Sequence, residues 1–145
     1  MGNATVIGPV GGSASELPFF SARVPAGFPS PAQDHLEQKI SLDELLDIDA
    51  PQTYLVRADG ESMVGVGIFD GDVLIVSRAL DAMPGNIVIA AINGDPVVKT
   101  FDRDGQQIVL RSENAKYPPR FVMEGDELLI WGVVTDSIRR HRCHG

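Results

Sequence analysis

The 145-residue chain carries 12 Lys and Arg against 20 Asp and Glu, a formal net charge of −8, with 43% hydrophobic residues and one cysteine. This is the size of one domain with a tail, with a core that closes without staples, and the lone Cys143 excludes an internal disulfide framework and fits a reducing compartment. The acid excess argues against a protein that grips DNA by itself, and the longest apolar runs, IVIAAI and LLIWGVV, fall far short of the roughly 18 residues that span a membrane.

The N-terminus shows no basic start followed by an apolar segment, so a cytoplasmic protein is expected. Residues 1–40 hold few charges before Asp34, a GPVGG stretch, and prolines at 9, 18, 25, 29 and 31, and they read as an extended N-terminal arm. The arm has neither the length nor the periodicity of a helix-turn-helix. Within it, VPAGFPSP (24–31) sets the small pair Ala26 and Gly27 between Pro25 and Pro29. Such a segment is either a linker or a bond presented for cutting.

SLDELLDI (41–48) offers a short helix with Ser41 and Glu44 spaced as a capping box. From Thr53 the period becomes that of strands: TYLVRA, DVLIVS, NIVIAAI, PVVKTF, QIVLRS and ELLIWGVVT, separated by DG, PG, NGD and RDG turn signals. Short strands at this spacing predict a mainly β fold of compact, strongly bent antiparallel sheets, with the folded body at 41–145.

Few residues offer chemistry. The three histidines lie in the arm (His35) or the tail (His141, His144), which argues against a Ser-His-acid triad, and GESMVG (60–65) is not a G-x-S-x-G elbow. DGD (70–72) lacks the further carboxylates of a calcium loop and reads as a turn, and RRHRCH (139–144) reads as a solvated end. No metal or cofactor is expected. One pairing survives: Ser62, in the turn of RADGESM, and Lys99, in DPVVKTF. Alternation puts Val97, Lys99 and Phe101 on one face, so the ammonium shares its side with apolar neighbours. Each residue alone has an ordinary reading, a turn serine and an edge-strand lysine. Together they could form a serine-lysine dyad, in which neutral lysine takes the serine proton as the hydroxyl attacks a carbonyl. Lysine with its reference pKa is neutral in only about four molecules per ten thousand at pH 7, and bringing that value to 7 costs roughly 4.6 kcal/mol against the charged form. Full burial shifts lysine by as much as about 3 to 5 units, so burial of Lys99 is the condition on which such catalysis depends.

FFSARVPAGFPSPAQDHLEQKISLDELL, ADGESMVGVGIFDGDVLIVSRAL, GNIVIAAINGDPVVKTF and GVV closely resemble the LexA/UmuD family of self-cleaving serine peptidases, from about residue 17 to about 135. The separation 99 − 62 = 37 matches that family's serine-to-lysine spacing. The resemblance implies Ser62 as nucleophile, Lys99 as general base and Ala26-Gly27 as the scissile bond, where this chain has Ala and UmuD proteins often have Cys. It further implies a peptidase domain like that of signal peptidases, self-cleavage on a RecA filament formed on single-stranded DNA, and a shortened homodimer that joins a UmuC-type subunit of an error-prone translesion polymerase. Rival expectations are a LexA-like transcriptional repressor and an interaction module that regulates a polymerase without chemistry. The 26 residues ahead of the cleavage site leave no room for a repressor's DNA-binding domain, which with the charge favours the mutagenesis branch.

Overall fold

The structure is a computed structural model, and it describes residues 4–9, 15–20, 36–48 and 51–142. It divides into two compact units, residues 1–10 with 50–145, and residues 11–49.

The larger unit is an eight-stranded antiparallel sheet built from β1 (Ala4–Pro9), β4 (Thr53–Ala58), β5 (Val73–Ser77), β6 (Ile87–Ile92), β7 (Asp95–Asp104), β8 (Gln107–Arg111), β9 (Arg120–Phe121) and β10 (Leu128–Ile138). Their order across the sheet is β1-β4-β5-β10-β6-β7-β8-β9. Strand β10 joins the two halves: Leu128 to Val133 pair with β6 and Val133 to Ile138 pair with β5, with register shifts at Ile130/Gly132 and Val134/Asp136. Such irregularities bend a strand and increase its twist, which lets one sheet curl around two cores. Gly132 is required at the first of them, because a Cβ there would lie 2.7 Å from Val76 Cγ1 and 2.8 Å from the Ser77 carbonyl oxygen.

The two cores lie on opposite faces of the middle strands. One gathers Tyr54, Val56, Met63, Leu74, Val76, Ile89 and Val98; the other gathers Val88, Ala90, Val97, Phe101, Leu110 and Val133. The period of two explains the near-continuous apolar run of β6: Ile89 enters one core, and its neighbours Val88 and Ala90 enter the other. The same parity on β7 sends Val98 to the first core and Val97 and Phe101 to the second.

The smaller unit contains an antiparallel pair, β2 (Glu16–Phe20) with β3 (Leu36–Ser41), and the single-turn helix α1 (Leu42–Leu45). Ser41 caps this helix as its spacing predicts, its hydroxyl accepting from the Glu44 N–H at 3.1 Å.

The mainly β class agrees with the sequence reading, and six strands fall where their apolar runs lie. Among the described residues, the stretch expected as an extended arm contains paired strands. Residues 4–9 form an edge strand of the large sheet, and 16–20 pair with 36–41. Prolines masked these strands in the sequence, yet proline is tolerated on edge strands and at strand ends, and Pro9 closes β1. The Ala26-Gly27 bond lies outside the described residues, as do His35, Cys143 and His144.

Candidate active site

Ser62 stands in the loop that leaves β4, with its residue 6% exposed, and Met63 beside it is buried in the first core. The loop closes on itself in several ways. Gly60 N–H donates to Asp70 Oδ1 at 2.8 Å, and Ala58 N–H donates to the Asp72 carbonyl at 2.8 Å. A 3₁₀ turn, Val64–Val66, follows the serine, and the Met63 carbonyl accepts from both Val66 and Ile68 N–H at 3.2 Å. Gly67 ends that turn in the left-handed region, φ 83°, a conformation open to glycine.

Lys99 projects from the middle of β7, opposite Val88 of β6. Its parity with Val97 and Phe101 places it on the side of the second core, as alternation predicts. The side chain is partly buried, and that burial holds its pKa below the ordinary lysine value. Nζ donates to Ser112 Oγ at 2.9 Å.

The two residues converge on one short segment. Ser112 receives the Lys99 ammonium. Next to it, Glu113 N–H donates to the Ser62 carbonyl at 2.8 Å, and the Glu113 carbonyl accepts from Gly65 N–H at 2.7 Å. Asn114 Nδ2 then donates to the Glu61 carbonyl at 2.9 Å. The Glu113 carboxylate accepts from Thr100 Oγ1 at 2.8 Å, tying the segment to the residue after Lys99. Residues 112–114 therefore grip the serine loop from both sides of Ser62 and hold the lysine amine as well.

The sequence reading did not single out Ser112 or Glu113, although a signal was present. The DG at 104–105 turns a tight hairpin in which Asp104 pairs with Gln107 and Thr100 with Arg111. Counting one step further puts Lys99 opposite Ser112.

Two readings outside the dyad, the turn at 70–72 and the exposed end at 139–144, gain a specific contact. Asp72 does more than shape a turn: it is 2% exposed and takes a bidentate ion pair from Arg139, with Nε and Nη2 each 3.0 Å from a carboxylate oxygen. The guanidinium also donates to the Gly67 carbonyl at 2.8 Å and lies 3.9 Å over the Phe69 ring. The hydrogen bonds from Arg139 hold the Asp72 carboxyl below its usual range against the opposing effect of burial. So Arg139, expected in a solvated end, fastens the end of β10 to the serine loop. Among the described residues no cluster of His, Cys, Asp and Glu could hold a metal ion.

A cavity of about 500 Å³ lies elsewhere in the larger unit, lined by Tyr54, Arg78, Ile130 and Trp131. None of these residues belongs to the Ser62 loop or to 112–114, so this cavity is separate from the segment on which Ser62 and Lys99 converge. No helix among the described residues is long and apolar enough to cross a membrane.

The LexA repressor of Bordetella avium (strain 197N) is 38% identical over 122 residues, covering 84% of this chain, and this chain spans 57% of the repressor's length. Protein SamA of Salmonella typhimurium is 39% identical over 128 residues, 88% of this chain and 89% of SamA. Protein MucA of Escherichia coli is 38% identical over 126 residues, 86% of each chain. The model of the Peptidase S24-like family matches residues 18–135, so the chain belongs to that family.

Proposed function

We propose that the chain is a self-cleaving serine peptidase that cuts its own Ala26-Gly27 bond, with Ser62 as nucleophile and Lys99 as general base. The observation that carries this reading is the placement of Lys99. Its amine is held by Ser112 on an apolar face, burial lowers its pKa, and the next residue along, Glu113, binds the backbone of Ser62. Membership of the Peptidase S24-like family supports serine peptidase chemistry in general.

In the proposed reaction the arm lies as an extended strand, a geometry favoured by Pro25 and Pro29. Ser62 Oγ attacks the carbonyl carbon of Ala26 while its proton passes to the neutral amine of Lys99. Backbone N–H groups of the 60–65 turn are suited to receive the negative charge that develops on the carbonyl oxygen. Collapse breaks the peptide bond, Lys99 returns the proton to the departing Gly27 amine, and water attacks the Ala26 acyl-serine to free the hydroxyl. Depressing the lysine pKa by burial raises the fraction of neutral base available at each turnover.

Relatives such as SamA and MucA, which this chain matches along most of their length, support a place in SOS mutagenesis. In this reading a RecA filament on single-stranded DNA stimulates the cut in the cytoplasm. The shortened chain acts as a homodimer beside a UmuC-type subunit of an error-prone polymerase. The net charge of −8 favours this over direct operator binding by the chain as a repressor.

Mass spectrometry of purified protein held at about pH 10, where lysine deprotonates, tests the chemistry. Fragments 1–26 and 27–145 are expected from the native chain and from neither Ser62→Ala nor Lys99→Ala. Undiminished cleavage in Ser62→Ala identifies a contaminating protease, and retained self-cleavage in Lys99→Ala removes lysine from the mechanism.

A further inference from the structure

The strand pairings place the proposed cleavage bond in an unusual position. Residues 21–35, which contain it, run between β2 and β3, and these two strands pair with each other from Glu16↔Ser41 to Phe20↔Leu36. Strand β1, on the same side of the bond as β2, pairs with β4 from Ala4↔Ala58 to Pro9↔Tyr54. Both strands described before residue 26 therefore have their partner after residue 27. We infer that cleavage at 26–27 does not free the N-terminal fragment: segment 1–26 stays bound to the rest of the chain as a noncovalent peptide, held by the β4 edge and by β3.

The two attachments differ in strength. A two-stranded pair in water is marginal by itself, so β2–β3 is the weaker hold. Strand β1 instead extends an eight-stranded sheet and buries apolar side chain. Ala4 is 8% exposed and joins the core that includes Tyr54, Val56 and Ala58 of β4, and Thr5 Oγ1 reaches Asp59 Oδ2 at 3.3 Å. Only the six residues 10–15 separate β1 from β2. When one pairing opens, the other keeps the loose strand at a local concentration on the order of millimolar, so recapture competes with escape. Complete departure also strips β4 of its neighbour and leaves a row of unpaired backbone groups on a new sheet edge, a further cost of release. Breaking the peptide bond and uncovering the β4 edge are thus two separate steps.

For the self-cut chain the inference rests on the bond proposed above, but the pairing does not, and the test uses an outside protease so that the two can fail separately. A recognition sequence for a site-specific protease is placed between residues 26 and 27 of the full-length Ser62→Ala chain, which is cut to completion and diluted to about 1 μM, well below the local concentration that tethering supplies. Native mass spectrometry and gel filtration should find both pieces in one species that separates only in denaturant. Loss of the fragment from the native cut protein within minutes overturns the proposal. Alternate residues of an edge strand turn their N–H groups to the partner, so the double substitution Thr5→Pro/Val6→Pro must remove one ladder donor of β1 whichever it is. It should speed release at least about tenfold by disrupting one arm of the bivalent hold, and retention unchanged by it, and by Phe19→Pro in β2, also overturns the proposal. Because each chain is cut only after folding, a folding defect is visible in the uncut sample.

Discussion

Lys99 and Ser62 reach the same segment from opposite kinds of structure. Lys99 sits at a fixed step of a regular strand, where its face follows from alternation and its cross-strand neighbour from counting through the Asp104-Gly105 hairpin. Ser62 sits in an irregular loop positioned by distant groups: Glu113 and Asn114 after β8, and Arg139 at the end of β10 through Asp72, Gly67 and Phe69. The proposed base is placed by local periodicity and the proposed nucleophile by long-range hydrogen bonds. Perturbing the loop should therefore damage the site more than perturbing the strand.

The largest effect should come from Gly65→Ala. A Cβ at Gly65 would lie 2.5 Å from the Glu113 carbonyl oxygen, the atom that accepts the Gly65 N–H. Backbone has no rotamer by which to yield, so the loop must lift away from 112–114 and carry Ser62 with it. We expect a stability loss on the order of 2–3 kcal/mol in denaturant unfolding and loss of self-cleavage at all pH values. Wild-type cleavage in a folded Gly65→Ala chain would show that the Glu113 grip does not position the serine.

Arg139→Met should come next. It leaves the buried Asp72 carboxylate without its cation, so thermal unfolding at neutral pH should move to lower temperature, by less than for Gly65→Ala. The pH dependence fixes the cause. The Asp72 pKa is held low in the folded chain, so the pair's contribution is present above the ordinary carboxylate value, about 3.9, and is lost as pH falls through the lower folded value. Wild type and variant should thus differ most near neutrality and converge only as pH falls through that lower folded value. A difference independent of pH would mean that only the packing of Arg139 on Phe69 matters.

These expectations also explain what was legible beforehand. The mainly β class, six strands, the helix cap at Ser41 and the core-side face of Lys99 all follow from short periods and local chemistry. The Asp72–Arg139 pair joins residues 67 apart through a turn and a charged tail, and neither partner has a local pattern that marks it. The strands β1 and β2 escaped for another reason: each is short and proline-bearing, and each is recognisable only by its partner, β4 or β3.

On the strand side, Ser112→Ala removes the acceptor of the Lys99 amine without touching the backbone. A hydroxyl oxygen stabilises the ammonium more than the neutral amine, because hydrogen bonds to charged donors are the stronger kind. Its removal should lower the lysine pKa further and move the rise of the pH–rate profile for self-cleavage to lower pH. The plateau rate should fall about tenfold as the amine loses its orientation, and Ser112→Thr should restore both. A lower plateau with an unmoved midpoint would indicate damage to the fold and not a role in holding the base.

The smallest effect on stability, and the only stabilising one, is expected from Lys99→Met. Burial disfavours the charged lysine in the folded chain, so its folded pKa lies below the unfolded value. Below the folded pKa both states carry the proton and the native state bears the full desolvation cost. As pH rises above it, the unfolded chain binds more protons than the native one, and wild-type stability increases until the unfolded lysine also deprotonates, near 10.4. Replacing the amine with an apolar side chain of similar length should therefore raise stability at neutral pH by about 1 kcal/mol, partly offset by the orphaned Ser112 hydroxyl. That advantage should shrink steadily toward alkaline pH, as read by denaturant melts across the range. An advantage that persists undiminished at high pH would mean the lysine is not held against its charge, and the base assigned to Lys99 would lose its physical footing even though its place on the strand is right.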